Sequence, residues 1–423
     1  MNANDDHKEA RLDRACERCG TCLSVCPVFA EVGLESASAR GKLSLLDALD
    51  QGGLEGSRRC EEILSLCLLC GACSEACPMG LDAHETIRQG RARLVGLRGL
   101  TAGKKAAMEV LSRPVVLRGM AAGLHALMDT PLFESLPEDS GLRLRFRLPR
   151  LARGRYVPRP AESPLSRLDI PRKPRRTGGR RIAFFTGCST EYVEPRVGMS
   201  ALALLRRCGA DAYVPEGQGC CGLAAYGMGG DDAAADLAKR NLESLLADDP
   251  QAVVTACDSC AAMLKVYYPK LLEGTGLEAA ARELSKKMVN LHEILIHCKQ
   301  APVRSRAVKP GLKATYHYPC HLHRTLGVGK AHRSLIERLD GLEFVEMEEA
   351  ERCCGGGGSF NAAHYELSSR IGARKAAAAR RAGADLVATS CFGCLFQLRD
   401  ALHRDGARIR AVHFLELFEP EGI

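Results

Sequence analysis

The chain has 423 residues, 59 Lys and Arg against 51 Asp and Glu for a net charge of +8, 21 cysteines and no tryptophan. That length has room for about three domains of common size. No run of 18 apolar residues occurs, which excludes a membrane-spanning helix of ordinary kind. The start, Met-Asn-Ala-Asn-Asp-Asp-His-Lys-Glu, is charged and lacks the apolar stretch of a secretory signal. So many thiols without a signal predict a reducing, cytoplasmic setting, with any membrane link peripheral at the inner face or made through another subunit.

The first motif is Cys16, Cys19, Cys22, Cys26 and Pro27; the second is Cys67, Cys70, Cys73, Cys77 and Pro78. Both read C-x2-C-x2-C-x3-C-P, the run with which bacterial two-cluster ferredoxins hold cubane [4Fe–4S] clusters. Three closely spaced cysteines cap three irons, and the fourth usually crosses to the other cluster. The expected sets are therefore Cys16, Cys19, Cys22 and Cys77 for one cubane, and Cys67, Cys70, Cys73 and Cys26 for the other. Structural zinc needs two separated thiolate pairs, which these quartets are not. The helical stretch from Gly41 to Leu49 lengthens the gap between the runs and predicts a helical ferredoxin over residues 1–100.

Residues 101–181 read as a helical connector followed by a basic linker. Residues 143–181 hold thirteen Arg and one Lys against Glu162 and Asp169, a net of +12, so the rest of the chain is slightly acidic. Leu142-Arg-Leu-Arg-Phe-Arg-Leu alternates with period two before prolines interrupt it. The segment fits a solvated, proline-stiffened strap, or a dock for an acidic partner or an anionic membrane face. Nucleic acid is not expected, with few aromatics and no recognition motif.

From residue 182 the chain repeats itself. Cys188, Cys220-Cys221-Gly222, Cys257 and Cys260 recur as Cys320, Cys353-Cys354-Gly355, Cys391 and Cys394. The intervals agree: 32 against 33 residues from the first cysteine to the pair, and 36 against 37 from the pair to the C-x2-C. Runs at Arg181–Thr186, Ala252–Thr255, Leu312–Tyr318 and Asp385–Thr389 read as buried strands, with helical stretches at 231–248 and 362–382. Strand alternating with helix predicts mostly parallel sheets. Cysteines just past strand ends can converge where open α/β sheets gather ligands. Adjacent cysteines suit a cluster of several irons better than one tetrahedral ion. The two repeats are expected at 182–305 and 310–423, with Pro310-Gly311 at the boundary.

Cys60, Cys208 and Cys298 remain, each expected to be an inert thiol. His317, His321 and His323 flank Cys320 and suit packing or hydrogen bonding around a ligand; His321 is the candidate for proton delivery. Gly217-Gln-Gly-Cys-Cys-Gly222 fits G-x-G-x-x-G, but two of its variable positions are repeat cysteines, and no Walker A motif is present. Flavin and nicotinamide are therefore expected on another polypeptide.

On these motifs the chain resembles the paired cysteine-rich "CCG" subunits of heterodisulfide reductases and the iron–sulfur subunits of glycolate, lactate and glycerol-3-phosphate dehydrogenases. The resemblance covers nearly the whole chain and implies a helical two-cluster ferredoxin fused to two α/β CCG domains. It also implies that each five-cysteine set can hold a non-cubane [4Fe–4S] cluster, up to two beyond the cubanes. Keeping both cysteines of each C-x2-C brings the chain nearer the heterodisulfide reductase pattern. The implied function is electron transfer from a flavoprotein that oxidises a 2-hydroxy acid toward quinone or another carrier, with a quinone-linked membrane subunit as a further partner. The alternative is a heterodisulfide reductase-like subunit cleaving a disulfide at its CCG clusters. Cluster crossing carries a direct prediction: Cys77→Ser should damage the first cubane more than the second, read from cluster EPR signals. Loss confined to the cluster of Cys67, Cys70 and Cys73 would contradict it.

Overall fold

A computed structural model describes residues 16–137, 140–148, 151–175, 178–298, 311–329 and 331–418. The charged start of the chain and Pro310 of the expected boundary lie outside the described residues.

Residues 16–98 are helical, with no strand among the described residues, in line with the long gap between the cysteine runs. Ser38 starts the helix Ala39–Asp50 by accepting the Gly41 N–H at 3.0 Å. Its buried Leu43 and Leu46 pack with Ile87 and Leu94 of the helix Ala83–Arg98. Gly90 permits the crossing, because a Cβ there would lie 2.4 Å from Leu46 Cδ2.

The connector forms two helices, Ala102–Ser112 and Pro114–Leu127, and then a small antiparallel sheet. Its strands are β1 (Phe133–Ser135), β2 (Leu142–Leu144) and β3 (Tyr156–Val157), in that order. Here the structure differs from a wholly solvated strap. Leu142 and Leu144, alternate residues of the period-two run, are buried with Met128 and Phe133. Arg143 between them reaches Asp400 at 3.1 Å, and the Tyr156 N–H donates to Tyr365 Oη at 2.7 Å. Part of the basic charge thus ties the linker to the second repeat.

The repeats are two parallel sheets. The first has β4 (Arg180–Phe185), β5 (Ala210–Tyr213) and β6 (Ala252–Thr255) in the order β5-β4-β6. The second has β7 (Leu312–Tyr316), β8 (Leu342–Phe344), β9 (Leu386–Thr389) and β10 (Arg410–His413) in the order β10-β9-β7-β8. Strands β4, β5 and β6 match β7, β8 and β9, and a parallel bridge between Val253 and Met288 stands where β10 would be. Every residue of β6 and β9 is buried, as strands covered on both faces require. The helices Asp231–Leu246 and Tyr365–Arg381 flank the sheets where the sequence pattern predicts them.

One core runs through both repeats, from Phe184 and Tyr268 to Phe392 and Phe414. The two C-x2-C segments meet across it. The Asp258 N–H donates to Ser390 O at 3.3 Å, and His413 Nε2 lies 2.8 Å from Ala256 O. The ferredoxin helix Ala83–Arg98 docks by charge. Arg88 lies 2.8 Å from Glu85 and 2.7 Å from Asp231, while Tyr226 Oη donates to Glu85 at 3.0 Å. Arg324 of the second repeat reaches back to Glu75 at 2.7 Å. Such part-buried pairs fix orientation more than they add stability.

Candidate iron–sulfur sites

Cys26, Cys67, Cys70 and Cys73 line one small enclosed space, so the fourth cysteine of the first run faces three of the second. Burial pushes the Cys26 thiol up to about 11, and Cys70 and Cys67 beside it add to the shift. Cys16 lies close to Cys22, with Arg40 next to both. Cys19 is exposed, 3.3 Å from Thr21 Oγ1. Cys77 closes the turn after the helix Ala72–Glu75, which packs on the helix Thr21–Val25 that carries Cys22.

In the repeats, the cysteines lie on loops and helix starts just beyond β4, β6, β7 and β9 or on the Cys-Cys-Gly loops. Fully buried Asn241 pins the first such loop: its Oδ1 accepts the Gly219 N–H, and its Nδ2 donates to Cys220 O, both at 2.9 Å. Tyr268 Oη donates to Cys221 O at 2.9 Å. In the second repeat, Ser368 Oγ donates to Gly355 O and Gln397 Nε2 to Ser368 O, both at 2.8 Å. Gly355 has φ 88°, like Gly222 at 89°, and a Cβ would meet Ser368 O at 2.9 Å.

The sequence presents two separate five-cysteine sets; the structure joins them. Side-chain contacts run from Cys188 to Cys220, Cys221, Cys260 and Cys257. Cys257 then touches Cys391, which continues to Cys394 and Cys354. Cys353 contacts Cys320 on one side and Cys70 of the ferredoxin part on the other. The ten cysteines thus fall into two contact groups, which meet where Cys353 and Cys354 adjoin in the chain, and the smaller group reaches the second ferredoxin set through Cys70. Contacts with neighbouring thiols and burial push Cys70 and Cys260 well above the ordinary thiol range, whereas hydrogen bonds from Cys220 and Cys260 hold Cys221 down to about 6.

Packed cations are the part that sequence reasoning missed. Buried Lys42 donates to Ser38 O at 3.3 Å and lies beside Cys67, Cys26 and Cys73. Arg91 donates to Cys67 O at 2.6 Å, and Arg324 sits beside Cys70 and Cys320. Burial brings Lys375 down to about 8, with Cys354 and Cys353 as its nearest compensating charges. No spacing rule distinguishes these side chains from surface cations.

The three histidines part company. The ligating atoms of His317, Cys354 and Cys394 lie within 4.8 Å of one another, and His317 Nδ1 is 3.0 Å from Ala350 O. His321 Nδ1 is 3.1 Å from Ser259 Oγ, which is 3.0 Å from Cys391 Sγ; burial lowers the His321 pKa, against the opposing charges of Cys391 and Asp258. His323 pairs with Glu75 at 3.2 Å. Cys60 is a buried thiol, whereas Cys208 and Cys298 form a disulfide across 90 residues of sequence, with Cα atoms 5.5 Å apart. Tertiary contact brings that pair together, so the inert-thiol expectation fails there. Gln218 of the glycine-rich stretch donates to Phe184 O at 3.0 Å and accepts the Thr186 N–H at 2.9 Å, serving the fold.

The donor set fits iron–sulfur clusters. Crowded buried thiols cannot ionise together without positive charge, and a bound metal deprotonates them outright. Contiguous thiols beyond the four of a tetrahedral ion suit polynuclear clusters. Removing one of the packed cations favours the more oxidised, less negative state of a cluster beside it. Lys42→Met should therefore lower the midpoint potential of the Cys26–Cys67–Cys70–Cys73 centre by roughly tens of millivolts. An EPR-monitored redox titration checks this, and an unchanged midpoint contradicts it.

Comparison with known proteins agrees with this architecture. Residues 13–81 match the 4Fe-4S dicluster domain, and residues 182–265 and 314–399 match the cysteine-rich domain. The chain is 31% identical over 417 residues to the probable glycolate oxidase iron–sulfur subunit of Bacillus subtilis, covering 95% of this chain and 92% of that one. It is 29% identical to one of the subunits of the fumarate reductase (CoM/CoB) of Methanothermobacter marburgensis, covering 98% of this chain and 73% of the relative. Lactate utilization protein A of Anoxybacillus flavithermus is 31% identical over 56% of this chain and 98% of its own length.

Proposed function

The chain belongs to the family of glycolate-oxidase-type iron–sulfur subunits, in which a 4Fe-4S dicluster domain precedes two cysteine-rich domains, and on that premise we propose that it carries electrons from a flavoprotein oxidising a 2-hydroxy acid of the glycolate or lactate kind toward quinone or another carrier. The observation that carries this reading is the contact of Cys70 with Cys353, which brings the second ferredoxin set against the thiols of the second repeat. When bound, two cubanes and up to two non-cubane clusters supply one-electron chemistry at these thiols.

The chain's own residues do the rest. The first run is assigned as Cys16, Cys19, Cys22 and Cys77, the second as Cys26, Cys67, Cys70 and Cys73, and each repeat contributes its five cysteines. The shared core of the repeats takes in six of their ten cysteines, Cys221, Cys257, Cys260, Cys354, Cys391 and Cys394, and keeps water from them. Lys42, Arg91, Arg324 and Lys375 bring positive charge against them. His321 holds a proton beside Cys391 through Ser259, a positioning role in this reading. The complete five-cysteine sets and their direct junction at Cys257 and Cys391 favour a second reading, disulfide cleavage at the junction.

Anaerobic purification of the native complex separates the two. The electron-carrier reading expects a co-purifying flavoprotein and bleaching of this chain's absorption on adding glycolate or lactate. Disulfide reduction by this subunit alone, with an artificial donor and no flavoprotein, would overturn it.

A further inference from the structure

The second repeat carries a nitrogen donor where the first has none. His317 stands three residues before Cys320, and Phe185 stands three residues before Cys188. Strand register gives the same correspondence. Phe185 pairs with Thr255 at the end of β6, while Tyr316 pairs with Ala388, which sets His317 opposite Thr389 at the end of β9. Thr255 and Thr389 each lie two residues before the first cysteine of a C-x2-C pair. The duplicated sheets therefore bring an imidazole and a phenyl ring to the same place, both fully buried. Each ring has thiols beside it. The ligating atoms of His317, Cys354 and Cys394 lie within 4.8 Å of one another. In the first repeat, a Cβ on Gly187 would meet both Cys260 Sγ at 3.0 Å and Phe185 Cε1 at 3.4 Å.

The hydrogen bonds of His317 fix which nitrogen is free. Ala350 O can only accept, and it takes the Tyr318 N–H at 3.1 Å and His317 Nδ1 at 3.0 Å. With Nδ1 donating, the neutral ring carries its lone pair on Nε2. That atom is buried and has no hydrogen-bond partner among the described residues. The backbone is held as well: the His317 N–H donates to Ala388 O at 2.9 Å, and Thr389 Oγ1 donates to His317 O at 3.2 Å. A histidine that gives one ring N–H to a backbone carbonyl and turns the other nitrogen to thiols has the arrangement of a metal ligand. The other buried histidines differ. His413 engages both nitrogens, one 2.8 Å from Ala256 O and one accepting the Leu415 N–H at 3.3 Å. His332 packs its ring among those of Tyr316, His292 and Phe414 and belongs to no group of metal donors among the described residues.

We propose that His317 Nε2 bonds an iron of the second repeat's cluster alongside Cys354 and Cys394, giving that centre a mixed nitrogen and sulfur ligand set while the first repeat's is sulfur alone. The inference rests on the reading that the repeats hold iron–sulfur clusters, and adds to it a ligand outside the five-cysteine set. Imidazole brings no negative charge, so two centres with the same cysteine pattern differ in how readily they accept an electron.

The experiment is pulsed EPR of the full-length, anaerobically purified protein, grown with histidine carrying the heavy nitrogen isotope, in its oxidised and dithionite-reduced forms, beside an iron count. The wild type should show the strong hyperfine coupling of a nitrogen bonded to iron, and the coupling should respond to the label. His317→Asn places an amide N–H where Nδ1 was, for Ala350 O, and has no counterpart of Nε2. It should keep the melting temperature and lose the strong coupling. His317→Cys exchanges a neutral donor for an anionic one and should keep its iron while lowering the midpoint potential of the second repeat's centre. A wild type with full iron and only the weak couplings of hydrogen-bonded nitrogens overturns the proposal and leaves the cluster reading standing. So does a His317→Asn protein with the wild-type nitrogen spectrum, or an unchanged midpoint in His317→Cys. About eight irons per chain in place of about sixteen would overturn the cluster reading and the proposal together.

Discussion

A thiolate taken out of water needs positive charge beside it, since an uncompensated buried ion costs several kcal/mol. This protein gathers the ten cysteines of its repeats into two contact groups that adjoin at Cys353 and Cys354, and buries most of them. Burial and neighbouring thiols push Cys70, Cys188 and Cys260 toward the protonated form, and a bound cluster would supply the positive charge that burial denies such sulfurs. The surrounding structure answers the same need. Asn241 and Ser368 hold the two Cys-Cys-Gly loops through backbone carbonyls. Lys42 and Lys375 bring ammonium groups into places where a lysine is rarely found.

Duplication produced two similar sheets, but their environments differ. The second repeat meets the ferredoxin part through Cys353 and Arg324. The first lies at the far end of the thiols, beside a cavity that Cys188 and Cys220 line together with Pro114 and Leu117. An asymmetric pair made from a symmetric sequence suits conduction between two different partners. The charged contacts of Arg88 and Arg91 hold the ferredoxin helix in register with the first repeat, so the relative placement of the sulfurs does not depend on a flexible hinge.

Much of this is legible in the order of the residues alone. The cysteine spacings locate the candidate thiols, and Cys26 shares one space with Cys67, Cys70 and Cys73. Strand signals locate β4, β6, β7 and β9 because apolar or β-branched residues run together in each. The junction of Cys257 with Cys391 is not legible, for it depends on two strand ends docking across 134 residues of sequence. Nor is the pairing of Cys208 with Cys298. Leu142 and Leu144 show their alternation, yet only the packing reveals that their side faces a core. The helix Pro114–Leu127 is apolar in composition, yet none of its residues is buried.

Conduction through this chain requires that the clustered thiols hold iron from the ferredoxin part to the first repeat. Iron analysis combined with EPR of the fully reduced, anaerobically purified chain tests this most directly. About sixteen irons per chain are expected, with broadened, relaxation-enhanced spectra from centres that interact through neighbouring thiols. Zinc in place of iron, or well-separated centres whose signals show no mutual coupling, would contradict it.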